Sequence, residues 1–131
     1  MDKGFWKNKK VLLTGHTGFK GSWLSLWLQS LDVDLIGYSL LVPTTPSLFE
    51  LADVKKNMTS IMGDIRNFDT LKKTIKEHQP EIIIHMAAQS LVHKSYEDPI
   101  LTYSTNIIGT VNILEAVRTV GKTKVVINVT S

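Results

Sequence analysis

Val11-Leu-Leu-Thr14-Gly15-His16-Thr17-Gly18-Phe19-Lys20-Gly21 is the stretch whose reading decides the fold. Val11 to Thr14 is a short apolar run, preceded by Lys9 and Lys10 and followed by glycine, and it reads as a strand buried on both faces. From Phe19 to Leu31 the apolar residues Phe19, Trp23, Leu24, Trp27, Leu28 and Leu31 recur at helical spacing. An amphipathic helix is expected there, with Trp23 and Trp27 on its packing face. A glycine loop that leaves a strand and opens a helix has a specific use. Gly15 permits the tight turn, Gly18 lets the backbone approach a pyrophosphate, and Gly21 lets the helix lie close to the sheet. The helix N-terminus adds unpaired N–H groups and a partial positive charge. The plain alternative is a tight turn that is glycine-rich without binding anything.

The rest of the chain alternates in the same way. Val33 to Tyr38 reads as a second strand, and residues 39–47 as a loop broken by Pro43 and Pro46. Ser47 is placed to cap a short helix through Asp53, with Glu50 completing a capping box. Thr59 to Met62 is a third strand, ending at Gly63-Asp64. Asn67 or Asp69 caps a helix from Thr70 to His78, which Pro80 stops. Glu81 to Ala88 is a fourth strand, and residues 89–98 a polar loop with room for a helical turn. Pro99 begins a long helix to Val120, with Ile100, Tyr103, Ile107, Val111, Leu114, Ala116 and Val117 expected to be buried and Gly121 at its C-cap. Lys124 to Val129 is a fifth strand. Strands this apolar, alternating with helices, predict an α/β fold: a Rossmann-type, doubly wound parallel sheet with helices on both faces, ending after the fifth strand.

Composition narrows the function classes. The chain has 131 residues, enough for one domain, with 43% hydrophobic and 21% charged residues. It has no cysteine, so disulfides, thiolate metal sites and a cysteine nucleophile drop out. Fifteen Lys+Arg against 12 Asp+Glu give a net charge of +3, too little to argue for nucleic acid. Lys7, Lys9 and Lys10 read as a solvated lead-in to the first strand. The apolar runs are too short for a membrane helix, and the N-terminus lacks a secretory h-region, so the expected compartment is the cytoplasm. His78 and His93 read as surface groups without zinc-ligand spacing, and no metal is expected.

The spacing Gly15-x-x-Gly18-x-x-Gly21, preceded by Thr14, resembles the loop of the extended short-chain dehydrogenase/reductase family. Gly63-Asp64-Ile65-Arg66, His85-Met-Ala-Ala-Gln89 and Asn106-Ile-Ile-Gly109-Thr110 resemble that family's motifs in the same order, so the likeness covers residues 11–131. Gly15 to Leu24, Pro46-Ser-Leu-Phe-Glu50, Ala87-Ala-Gln89 and Tyr103-Ser-Thr-Asn106 are similar to the family's nucleotide-sugar 4,6-dehydratases. The resemblance implies NAD as cofactor, a nucleotide-sugar substrate (CDP-glucose), no nucleic-acid or membrane partner, and homo-oligomers of the full-length protein.

It also implies roles for individual residues. Gly15, Thr17, Gly18, Phe19, Lys20 and Gly21 would form the phosphate cradle. Asp64 and Ile65 would lie by the adenine, although a turn-forming Asp is the alternative for Asp64. Ala87, Ala88 and Gln89 would run beside the nicotinamide ribose, with Asn106 on the following helix. At the end of the second strand, where an Asp favours NAD and an Arg NADP, the chain has Ser39, which suits either. His16 suits a backbone-shaping role or a phosphate contact, and His85, inside a strand, reads as a hydrogen-bonded core group. Ser131 would bond the sugar's C4 oxygen, strand alternation setting it apart from Thr130. The Tyr-x-x-x-Lys base pair of the family is absent, since Tyr38, Tyr96 and Tyr103 are followed four residues later by Val42, Ile100 and Ile107. The base, the elimination groups and the substrate domain are expected beyond residue 131. If 131 residues were the natural length, a non-catalytic dinucleotide-binding module would be the reading instead.

Overall fold

The computed structural model describes residues 2–130; Ser131, the expected catalytic hydroxyl, lies outside the described residues. Five parallel strands, β1 (Lys10–Thr14), β2 (Asp34–Ser39), β3 (Thr59–Met62), β4 (Ile82–His85) and β5 (Val125–Asn128), form one sheet in the order β3-β2-β1-β4-β5. The helical elements are α1 (Lys3–Trp6), α2 (Phe19–Ser30), α3 (Leu48–Leu51), a 3₁₀ turn at Val54–Asn57, α4 (Phe68–His78), α5 (Val92–Glu97), α6 (Pro99–Tyr103), a π turn at Ser104–Ile108 and α7 (Gly109–Val120).

The sheet carries helices on both faces, as expected, although Val125 and Ile127 of β5 are exposed. Val11 and Leu13 of β1, with Leu35, Ile82 and Ile84, pack with Leu28 of α2. Leu12, Ile36, Tyr38 and Ile83 face the other way, onto Leu71 and Ile75 of α4 and Ile113 and Ala116 of α7. Strand order reverses between β1 and β4, which creates the crevice where open α/β sheets place ligands. The glycine loop leaves β1 at that point.

Local signals behave as the sequence suggests. Asn67, not Asp69, caps α4 by accepting the Thr70 N–H. Ser47 caps α3, although its hydroxyl, not its N–H, donates to Glu50 Oε2. Asp98 caps α6 by accepting the Leu101 N–H, with Pro99 as its first residue, and Gly121 ends α7 at φ 69°.

Four expectations need correction. β4 stops at His85 instead of continuing to Ala88, because Met86 and Ala87 turn their N–H groups onto Thr14. The lead-in before β1 contains a short helix, α1, whereas the helical turn allowed for in residues 89–98 is present as α5. Trp23 and Trp27 are not on the packing face of α2: they are 57% and 51% exposed, and the buried residues are Gly21, Ser22, Ser25 and Leu28. The helix lies too close to the glycine loop for large side chains, and the serines turn inward to bond the carbonyls of His16 and Gly21. Pro99 to Val120 is not one uniform helix, since the π turn shifts its register. Ile100, Tyr103, Ile107, Val111 and Leu114 are exposed, while Gly109, Ile113 and Ala116 are buried.

Candidate dinucleotide-binding site

Each loop glycine has its own steric reason. Gly15 sits at φ 79°, its N–H donates to the Tyr38 carbonyl over 3.0 Å, and a Cβ there would stand 2.9 Å from the Ala87 nitrogen. A Cβ on Gly21 would overlap the Gly15 carbonyl. Gly18 differs. Its backbone is extended (φ −73°, ψ 165°), and a Cβ would meet only the Gly15 oxygen, at 3.4 Å. The space over Gly18 is therefore open, and Gly18 is the N-cap of α2 with no side-chain cap bond. The first-turn N–H groups of α2 lack intrahelical acceptors. Open backbone beside an uncapped helix N-terminus, at the sheet's reversal point, fits a pyrophosphate. Phe19 and Lys20, the first two residues of α2, are exposed beside this opening.

Beside the loop, the ends of β2 and β3 carry the next candidates. Thr17 and Ser39 are buried, their hydroxyl oxygens 2.8 Å apart, and Thr17 also donates to the Leu40 carbonyl. Asp64 is half-buried and accepts a forked pair from Arg66, whose guanidinium holds the carboxyl below its usual range. The Ile65 side chain belongs to the core, packed under Gly109, where a Cβ would strike it. Asn112 of α7 donates to the Ile65 and Arg66 carbonyls and so fixes this loop.

His16 shapes the backbone. Its ring is fully buried, edge-on to Phe49 and directly under Gly37, where a Cβ would come within 2.5 Å of Cγ. Nε2 pairs with Ser60 Oγ at 2.7 Å, and Nδ1 is buried without a partner. Burial lowers its pKa to about 4, against the smaller opposing pull of the Tyr38 carbonyl. The unfolded chain thus takes up this proton near pH 6.5 and the folded chain only near pH 4. The stabilisation is complete above pH 6.5 and is lost as pH falls through that window. Stability is expected to drop by about 1.4 kcal/mol per pH unit there, measured by urea unfolding, and His16→Phe should flatten the slope. A slope unchanged in that variant would assign the titration elsewhere.

The β4 end is organised by a chain of hydrogen bonds that the sequence reading missed beyond placing His85 in the core. Thr14 Oγ1 accepts the N–H groups of Met86 and Ala87, both at 3.1 Å. Its own proton therefore goes to His85 Nδ1, 2.7 Å away. His85 is then the neutral Nε2–H form and donates to Thr110 Oγ1 over 3.1 Å, and Thr110 donates to the Asn106 carbonyl. Burial lowers the His85 pKa and favours this neutral form. Asn106 clamps Gln89 from both sides, accepting its N–H at 2.8 Å and donating to its carbonyl at 3.0 Å. Ala87 is half-buried and Ala88 exposed, so the segment 86–89 lines the crevice with its backbone pinned at both ends. The sequence cues were Thr14 at the end of one expected strand and His85 inside another. Their pairing, Thr14 opposite His85, depends on strand order.

Among the described residues, no cluster of three His, Asp or Glu could hold a metal, and no helix is long and apolar enough to cross a membrane. His93 pairs with Glu97 on the surface.

Known proteins share this frame. Across all 131 residues the chain is 56% identical to CDP-glucose 4,6-dehydratase of Salmonella typhimurium, of which it covers 36%. UDP-glucose 4-epimerase of Thermus thermophilus in complex with NAD superposes with a TM-score of 0.75 at 30% identity, over 86% of this chain and 34% of that one. The Brucella ovis UDP-glucose 4-epimerase in complex with NAD gives 0.74 at 28%, over 87% and 33%. The chain thus spans about a third of the length of these relatives. Residues 12–131 match the family described as GDP-mannose 4,6 dehydratase, and the chain belongs to that family of extended short-chain dehydrogenases/reductases.

Proposed function

We propose that this chain is the NAD-binding part of a cytoplasmic CDP-glucose 4,6-dehydratase, a homo-oligomer that forms CDP-4-dehydro-6-deoxyglucose and water. The observation that carries the reading is the 56% identity along the whole chain to an enzyme of that name. The open backbone at Gly18 supports the cofactor assignment. NAD, when bound, supplies the reversible oxidation at the sugar's C4 that makes loss of water across C5 and C6 possible.

The chain's own residues then have distinct tasks. Gly15 and Gly21 let the loop and α2 close up, and the open backbone at Gly18 lets the pyrophosphate reach the first-turn N–H groups of α2, flanked by Phe19 and Lys20. Thr17, within the phosphate loop, backs Ser39, which meets the adenosine ribose, and Asp64 and the Ile65 backbone border the adenine. Ala87, Ala88 and Gln89 line the nicotinamide ribose, with Asn106 holding Gln89 in place. Ser131 donates a hydrogen bond to the C4 oxygen as its proton leaves. A Tyr-x-x-x-Lys pair and a sugar-binding domain elsewhere in the whole protein complete the site.

The test is to incubate the full-length protein with NAD and CDP-glucose and follow the 4-keto product, with GDP-mannose and dTDP-glucose in parallel. Turnover of a different nucleotide-sugar in preference would overturn the substrate. Within that assay, Ser131→Ala is expected to lower kcat about tenfold while leaving NAD affinity within about twofold. Thr130→Val, which removes the neighbouring hydroxyl, should leave kcat nearly unchanged. The reverse pattern would assign the hydroxyl to Thr130.

A further inference from the structure

The carboxyl end of β2 lacks the acidic side chain that, about 20 residues beyond a glycine loop, accepts the ribose 2′-hydroxyl of NAD. Ser39 stands there instead, buried, with its hydroxyl 2.8 Å from Thr17 Oγ1. Thr17 Oγ1 also lies 3.0 Å from the Leu40 carbonyl. A carbonyl only accepts, and a threonine hydroxyl has one proton, so that proton goes to Leu40. Toward Ser39, Thr17 is then an acceptor, and the single Ser39 proton is committed to it. Ser39 has only lone pairs left for any further partner.

From this hydrogen-bond polarity we infer that Thr17, through Ser39, makes the site discriminate NAD from NADP without an acidic residue. This rests on the dinucleotide reading above. A ribose 2′-hydroxyl donates into a Ser39 lone pair. A 2′-phosphate carries only acceptor oxygens and close to two negative charges, and Ser39 has no proton to offer it. The neighbouring charges agree. Leu40, Leu41, Val42 and Pro43 follow Ser39 and carry none. Arg66, on the loop after β3, is forked onto Asp64 with Nε 3.0 and 2.9 Å from the two carboxylate oxygens. The guanidinium that a 2′-phosphate would call on is therefore already neutralised.

The inference predicts a ratio. Calorimetric titrations of the full-length protein with NAD and with NADP should show NAD bound at least about tenfold more tightly. Thr17→Val removes the acceptor that holds the Ser39 proton, and the preference for NAD should shrink by about tenfold. Ser39→Asn introduces an amide donor and should shift it the same way. Ser39→Asp, an acceptor only, should keep or widen it. A role confined to packing would weaken both dinucleotides by one factor and leave the ratio alone. A ratio unchanged within about twofold in both Thr17→Val and Ser39→Asn overturns the inference while the binding site stands. If Thr17→Val does not fold, the two Ser39 variants decide. Wild-type protein that binds neither dinucleotide overturns the underlying reading as well.

Discussion

Gly18→Val is expected to abolish dinucleotide binding and leave the fold standing. The two halves of that result come from different observations. Gly18 has an extended backbone that any residue adopts, and its Cβ position meets only the Gly15 oxygen, at ordinary contact distance. A valine is therefore accommodated by the protein, with a melting temperature changed by no more than about 3 °C. Its branched side chain fills the space over the loop and covers the N–H groups that face a pyrophosphate. NAD affinity in a calorimetric titration should fall at least about 100-fold. Unchanged affinity would mean that the pyrophosphate does not lie over Gly18.

Gly21→Ala should behave in the opposite manner, although the added group is smaller. Its Cβ would overlap the Gly15 carbonyl and come within 2.8 Å of the Gly15 carbon and 2.9 Å of His16 Cα. All three obstacles are backbone, so no side chain can rotate away, and α2 must lift off the loop. Overpacking of this kind usually costs about 1–3 kcal/mol, and a rigid backbone obstacle should bring it to about 4 kcal/mol. Urea unfolding should show that loss, with the melting temperature lower by about 15 °C. A stability within about 1 kcal/mol of wild type would show that the helix has room to move.

The contrast between these two glycines explains what the sequence made legible. The strands were readable because β1 and β4 are continuous apolar runs, as strands covered on both faces must be. The loop was readable because its three glycines each answer a separate steric demand at fixed spacing. The buried face of α2 was not. Periodicity assigns the packing face to the largest apolar side chains, here Phe19, Trp23 and Trp27. The demand that holds Gly21 against Gly15 also brings Ser22 and Ser25 inward, and small residues leave no hydrophobic signature. The hydrogen-bond chain from Thr14 through His85 to Thr110 was hidden for another reason. It joins residues from three elements, and nothing local in the sequence sets β1 beside β4 or α7 over both. Ser39 shows an intermediate case. Its position was legible from the distance to the loop, but the direction of its proton depends on Thr17 and on the Leu40 carbonyl.

The π turn at Ser104–Ile108 reconciles two angular demands on one helix. Downstream, Ile113 and Ala116 must face Leu71 and Ile75 of α4. Within the turn itself, Asn106 must face Gln89. Each residue advances a helix by about 100°, so one residue more or fewer between those stations changes their phase by that amount. Seen this way, the widened turn is a phase adjuster. Removing a single residue from it would give a more regular helix that could satisfy its packing or its clamp, never both. The irregularity is thus the element that lets one helix serve the core and the crevice together.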